Sequence, residues 1–141
     1  KEEFDEVFLF KDDMEIINPN WLRDMRDAVY SDERIGVVVT RNLFRISHVA
    51  MGFSLFKLKV FEEVEFFDER FKIGEIDDVD FSVRMILNKW KFAYLNNENE
   101  FDYYIHRMSM AFKQLGWDEQ IKNKERFREK WRDTEWEKLV L

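Results

Sequence analysis

Glu6-Val7-Phe8-Leu9-Phe10-Lys11-Asp12-Asp13-Met14 is an apolar run that ends in two adjacent carboxylates. Four consecutive apolar residues favour a buried strand. Acids directly after a strand lie where it leaves the sheet, at the edge where α/β proteins place ligand sites. Because neighbouring carboxylates repel each other without a compensating cation, we expect a divalent metal here. Mg²⁺ or Mn²⁺ would suit these hard oxygen ligands, and a solvated turn is the alternative.

Length and composition indicate one folded domain over residues 1–141, since 45% of the residues are hydrophobic and 17% aromatic. The net charge of -7 disfavours nucleic acid as a partner, although a bound cation would allow a phosphorylated small molecule. The absence of cysteine excludes disulfides and thiolate metal sites. No apolar stretch approaches the ~20 residues of a membrane span. The chain begins with Lys rather than Met, and we expect sequence to be missing upstream.

Hydrophobic periodicity predicts alternating strands and helices along the chain. Strands are expected at the apolar run and at residues 35–40, 52–57, 91–95 and 101–105. Helices are expected after Pro19, with Asn18 as the cap, at residues 59–64, from about Asp77, at 109–115, and over 118–139 as one helix or a pair. Residues 42–51 are expected to form an irregular loop. The mixed charges after Asp118 favour packing on the fold over contact with a partner or a membrane surface.

A second acidic group, Asp77-Asp78-Val79-Asp80, lies at a predicted junction between a loop and a helix. Acids are favoured in a first helical turn by the positive end of the helix dipole, which is the ordinary explanation for such a group. A carboxylate beside another acid also has a raised proton affinity, and it can then serve as a general base. Asp80 and Arg84 lie one turn apart, and we expect them to pair.

His106 follows a predicted strand, as the first acid pair does, so we expect it at the same edge of the sheet. Imidazole is a competent ligand for metals such as Mn²⁺, although a lone histidine is usually a surface residue or a satisfied core residue. His48 has no such placement and is interpreted as a loop residue. The chain carries no phosphate loop, dinucleotide fingerprint, EF-hand loop, nucleophile elbow or zinc signature.

These features, in this order, resemble the second half of a family 2 glycosyltransferase with the GT-A fold. The resemblance covers about residues 5–106. Five parts of the sequence carry the resemblance, namely residues 8–14, residues 18–22, residues 52–63, residues 67–71 together with 75–84, and Tyr94-Leu95 together with His106. The second of them contains Pro19-Asn20-Trp21-Leu22. The segment at 67–84 resembles the family's "FDE-x-F … ED-x-D-x-x-x-R" signature. Lys11 is a departure, because the family usually has Asp or Asn at that place in its DxD motif.

The resemblance implies a role for each matching residue. Asp13 would coordinate the metal that bridges the diphosphate of a nucleotide-sugar, and His106 would be a second metal ligand. Asp12 would contact the ribose or support the metal. Asp78 would be the general base of an inverting enzyme, with Asp77 beside it as a second catalytic candidate. Asp80 and Arg84 would form the structural pair that holds their helix.

The expected fold is therefore α/β, with a mixed sheet flanked by helices, like a nucleotide-diphospho-sugar transferase. The nucleotide-binding βαβ half of that family has no counterpart in these residues. Residues 1–106 would be the motif-bearing core and residues 107–141 a charged helical segment.

The expected activity is metal-dependent transfer of a sugar from a nucleotide-sugar donor to a glycan, lipid or protein acceptor, with Mn²⁺ or Mg²⁺ as cofactor. A non-catalytic binding or scaffold module derived from the same fold is the main alternative. A metal-dependent phosphoryl-transfer or hydrolytic enzyme is another. The expected location is the cytoplasm, with peripheral membrane association left open.

Overall fold

Four strands form a mixed sheet in the order β1-β4-β3-β5. A computed structural model describes residues 4–12, 14–40, 52–72, 76–95, 103–106 and 117–140. The strands of this sheet are β1 (Glu6–Phe10), β3 (Ile35–Thr40), β4 (Phe53–Lys57) and β5 (Lys91–Leu95). β4 is antiparallel to both β1 and β3, whereas β3 and β5 are parallel. The predicted α/β class and mixed sheet are thus confirmed.

A second, two-stranded sheet pairs β2 (Met14–Ile16) with β6 (Tyr104–His106). β2 was not predicted, because three residues are too few for a periodic pattern. The expected place of His106 at the edge of the main sheet is wrong, because β6 belongs to the small sheet. Its antiparallel register sets the backbone of His106 opposite Met14, the residue that follows Asp13.

Helices flank both faces of the main sheet. α1 (Trp21–Val29) packs on one face, and α2 (Leu58–Val64) and α3 (Asp77–Leu87) pack on the other. The other helices of the described residues, α4 (Trp117–Trp131) and α5 (Glu137–Val140), pack against α3. β3 is buried on both sides, which explains its unbroken β-branched run. Val37 and Val39 pack in the cluster that holds α2 and α3, and Val38 packs in the cluster that holds α1.

The core between the sheet and α2 and α3 is largely aromatic. Phe81 of α3 is fully buried, and its ring centroid lies 4.7 Å from that of Phe67, 5.3 Å from Phe61 and 5.7 Å from Phe56. Ring pairs at such distances add stabilisation beyond the burial of their area. This cluster holds α3 on the sheet, and α3 carries the second acidic group.

The start of α1 differs from the prediction. The helix begins at Trp21 with Asn20 as its cap, and no side chain caps it. Asn18 lies outside the helix, where its Oδ1 accepts a hydrogen bond of 2.9 Å from the backbone N–H of Asn20. This bond closes a turn of the kind that Asn side chains favour, just before the helix.

Helical periodicity identified most inward-facing residues but not all. The helical spacing also predicts core-facing positions for Leu22, Leu87 and Ile121, and the run of aromatic residues predicts that Phe66 anchors its loop to the core. These four side chains are 40% or more exposed, so their expected burial is wrong. The predicted packing of the C-terminal helices is confirmed by Phe127, which is buried with Phe71 and Val83.

Two predictions fall outside the described ranges, namely the loop at 42–51 and the helix at 109–115. None of the helices within those ranges is long and apolar enough to cross a bilayer.

Candidate functional site

The candidate site lies at the edge of the sheet where β1 ends. β1, β3 and β5 run in the same direction, so their carboxyl ends share this edge, and antiparallel β4 begins there. The backbone N–H of Lys11 donates a hydrogen bond of 3.0 Å to the carbonyl of Gly52, just before β4. Asp12, which follows Lys11, is exposed to solvent. The predicted place of the first acids, at a strand-end edge, is therefore confirmed for Asp12.

Gly52 gives the side chains after β1 room to cross the start of β4. A Cβ atom at this position would lie 2.6 Å from Cε of Met14 and 3.5 Å from Cδ of Lys11. A larger residue would displace Met14 and crowd the stem of Lys11. This role of Gly52 has no signal in the sequence, because it depends on the approach of two segments distant in the chain.

Asp78 is the titratable group at this edge with the most perturbed proton affinity. Burial is the main cause, and together with the neighbouring charge of Asp77 it raises the pKa of Asp78 to about 7. Hydrogen bonds from the backbone amides of Val79 and of Asp78 itself and the charge of Lys11 act in the opposite direction. The amide of Val79 donates a hydrogen bond of 2.8 Å to Oδ1 of Asp78, and the ammonium of Lys11 is near enough to lower the pKa. A carboxylate with a pKa near neutrality is suited to general acid–base work.

The proximity of Lys11 to Asp78 joins the two acidic groups of the sequence. Lys11 follows β1 and Asp78 lies in the first turn of α3, yet they are close enough for the charge of Lys11 to lower the pKa of Asp78. Lys11 therefore brings a positive charge to this edge. That charge is of the sign that a diphosphate would need.

The remaining predicted site residues are only partly described. Asp77 is half-buried in the first turn of α3, next to Asp78. Asp13 lies outside the described residues. His106 is the last residue of β6, and its backbone lies opposite Met14. The structure describes the backbone of His106 but not its side chain. The ligand roles of Asp13 and His106 therefore stay predictions.

The hypothesis of a metal site depends mainly on Asp13 and His106. Within the described ranges, no three histidine, cysteine or acidic residues come together as a metal site. Asp12 offers exposed carboxylate oxygens, which suit Mg²⁺ or Mn²⁺. The β2–β6 pairing brings the backbone of His106 beside the residue next to Asp13, which is compatible with a shared site.

Asp80 is held by an ion cluster that the sequence analysis found only in part. The predicted pair is confirmed, with Nε of Arg84 3.0 Å from Oδ2 of Asp80. Oδ1 of Asp80 also accepts a hydrogen bond of 2.8 Å from Nε1 of Trp131 and forms an ion pair with Nζ of Lys130, 2.7 Å away. We call Asp80, Arg84, Lys130 and Trp131 the Asp80 cluster. One signal in the sequence pointed to it, since a tryptophan on a buried helix face needs an acceptor for its indole N–H.

Comparison of the chain with protein-family models, curated proteins and solved structures gave no significant match.

Proposed function

We propose that this chain is the acceptor-side half of a metal-dependent, inverting glycosyltransferase domain of family 2 with the GT-A fold. The observation that carries the proposal is the position and state of Asp78. It lies at the start of α3, its pKa is raised to about 7, and it is close to Lys11 at the end of the first strand. The order of strands in the main sheet and the acid after β1 are compatible with this assignment.

In the proposed reaction, one part of this sheet edge would bind the acceptor and the other would bind the cation and the diphosphate of the donor. Asp78 would accept the proton of an acceptor hydroxyl, which requires a carboxylate that binds a proton near neutral pH. Asp77 maintains that affinity through its negative charge. Asp13 and His106 would hold the cation, with Asp12 in support, and a bound Mn²⁺ or Mg²⁺ supplies charge neutralisation for a diphosphate leaving group. Lys11 adds a second positive charge on the same side.

The donor would be a nucleotide-sugar, and the acceptor a glycan, a lipid or a protein. The proposal places the protein in the cytoplasm, with peripheral membrane association as the alternative.

Calorimetry tests the binding half of the proposal. The chain is titrated with Mn²⁺ together with a panel of nucleoside diphosphates. We expect binding that depends on the metal, lost in Asp13→Ala and retained in Asp78→Asn. Asp133→Ala is the matched control, because it removes one carboxylate that is 92% exposed within the C-terminal segment. Binding that survives Asp13→Ala would refute the ligand role.

Product analysis with a panel of nucleotide-sugars tests the reaction. Transfer should disappear in Asp78→Asn while binding persists, and surviving transfer would exclude Asp78 as the base. Hydrolysis without an acceptor as the main activity would favour a hydrolytic enzyme instead. No binding by this chain, and none by a longer version of it, would favour the non-catalytic module.

A further inference from the structure

The Asp80 cluster joins α4 to the first turn of α3. The carboxylate of Asp80 is completely buried, and a buried carboxylate needs several donors to remain charged. Arg84 supplies one donor from within α3, and Lys130 and Trp131 supply two from α4. Two of the three donors that Asp80 meets thus come from an element about fifty residues away in sequence.

Lys130 bridges two carboxylates from different parts of the chain. Its Nζ lies 2.7 Å from Oδ1 of Asp80 and 2.8 Å from Oδ2 of Asp68, in the loop after α2. The hydrogen bonds from Arg70 and then from Lys130 hold the pKa of Asp68 far below its usual value. The Lys130 side chain is itself 22% exposed, so its charge is mostly shielded from water. The loss of this ammonium would leave Asp80 with one cation and Asp68 with Arg70 alone.

Apolar contacts and a buried amide hold α4 in the same place. Phe127 is buried against Phe71 and Val83. Asn123 of α4 is completely buried, and its Nδ2 donates a hydrogen bond of 2.6 Å to the carbonyl of Lys72. These contacts fix α4 independently of Asp80, and they thereby fix the position of Lys130 and Trp131. The polar contacts of α4 with Asp80 are therefore made by a firmly placed helix.

Asp80 in turn lies two residues after Asp78. The backbone N–H of Asp80 donates a hydrogen bond of 2.9 Å to the carbonyl of Ile76, which closes the first turn of α3 around Asp77 and Asp78. The first turn of a helix is otherwise the part most prone to fray. Among the described residues, the N-cap Ile76 makes no capping hydrogen bond through its side chain. Ile76 and Val79 pack against the cluster around Phe127, and the side chain of Asp80 adds the polar contacts that fix this turn to α4.

We infer that Lys130 and Trp131 are positioning residues, which hold the first turn of α3 through Asp80 and thereby place Asp78 at the edge of the sheet. This makes the C-terminal helix part of the site's framework rather than a separate appendage. Its catalytic consequence rests on the proposed function, because Asp78 must be the base for its position to matter. The positioning itself does not depend on the reaction.

Hydrogen exchange of backbone amides tests this inference on the complete chain. The amides of Val79 and Asp80 report the first turn of α3, and those of Asn88 and Lys89 report its end. Trp131→Phe retains a six-membered aromatic ring and removes the indole N–H together with the five-membered ring that carries it. We expect the first-turn amides to exchange roughly tenfold faster, because a hydrogen bond to a buried charge is lost. The amides at the end of the helix should change little.

Lys130→Met should produce a larger effect of the same kind, on the order of a hundredfold, since a buried carboxylate loses one of its cations. Lys130→Arg retains the charge and should restore most of the protection. The matched control is Lys138→Met, which removes a lysine that is 72% exposed and pairs with Glu135, itself 77% exposed. If Lys130→Met does not fold, Trp131→Phe decides the question, because it leaves every charge in place.

Two results would overturn the inference. One is unchanged exchange at Val79 and Asp80 in Trp131→Phe, and the other is an equal acceleration along the whole of α3, which indicates general destabilisation. The proposed function fails separately. If the first turn loosens selectively but Asp78→Asn leaves transfer intact, Lys130 and Trp131 still position the turn and Asp78 is not the base. If both hold, Trp131→Phe should lower kcat while the KM for the donor stays unchanged.

Discussion

Replacing Asp78 by Asn should stabilise the folded chain at neutral and alkaline pH. Burial and the neighbouring charge of Asp77 raise the pKa of Asp78 from 3.8 to about 7. Each tenfold change in proton affinity corresponds to about 1.36 kcal/mol, so the ionised carboxylate costs at most about 4 kcal/mol. Because Asp78 is only half-buried, we expect roughly 2 kcal/mol. Asn retains a side-chain oxygen that accepts the hydrogen bond from Val79.

The effect has a definite dependence on pH. The folded state binds the proton of Asp78 more tightly than the unfolded state does, so the free energy of unfolding falls as the pH rises from about 4 to about 7. Above about pH 7 the loss is complete and constant. Asp78→Asn removes this part of the pH dependence. The variant and the parent chain should therefore be equally stable at about pH 4 and differ most above about pH 7.

Urea unfolding at several pH values, with a chelator present to keep the chain free of metal, measures this difference. Asp133→Asn is the control, because its carboxylate is 92% exposed and should give no difference that varies with pH. A pH-independent difference between Asp78→Asn and the parent chain would refute the reasoning. So would a variant that is less stable than the parent at about pH 8.

Three further substitutions test the packing around the site. A Cβ atom at Gly36 would lie 2.5 Å from Cγ2 of Val60, so Gly36→Ala should lower the free energy of unfolding by about 1–3 kcal/mol, and an unchanged midpoint in urea would contradict this packing. Gly52→Ala should cost less, under about 1 kcal/mol, because it meets the flexible end of Met14; a cost as large as that of Gly36→Ala would show that Met14 cannot move. Glu65 has a φ of 66° and a ψ of 170°, a region almost confined to glycine, so Glu65→Gly should raise the melting temperature and stabilise the chain by about 1 kcal/mol. A lower melting temperature would show that the side chain of Glu65 contributes more than its backbone strain costs.

The exposure of Phe66, the residue after Glu65, could not be predicted from the sequence pattern. Phe66 is 70% exposed, yet its ring stacks on Phe61 with centroids 5.2 Å apart. The run Phe66-Phe67 correctly indicated proximity to the core, because Phe67 packs on Phe81. Which of the two rings is covered depends on the strained backbone at Glu65, and no sequence period encodes that geometry.

The sequence alone determined the features that depend on neighbours along the chain. The strand before Asp12 follows from its unbroken apolar run. The helix that begins at Asp77 and the pair of Asp80 with Arg84 follow from a spacing of three to four residues. These patterns are local, since a side chain four residues away on a helix must lie on the same face. They were sufficient to place acids at a strand end and at a helix start.

Only the tertiary structure decided how those parts meet. The pairing of β2 with β6, the approach of Lys11 to Asp78 and the two donors that α4 supplies to Asp80 join residues far apart in sequence. The proton affinity of Asp78 likewise depends on burial by the folded chain. The physical reason is that burial and charge interactions act through space, whereas a sequence pattern records only the distance along the backbone.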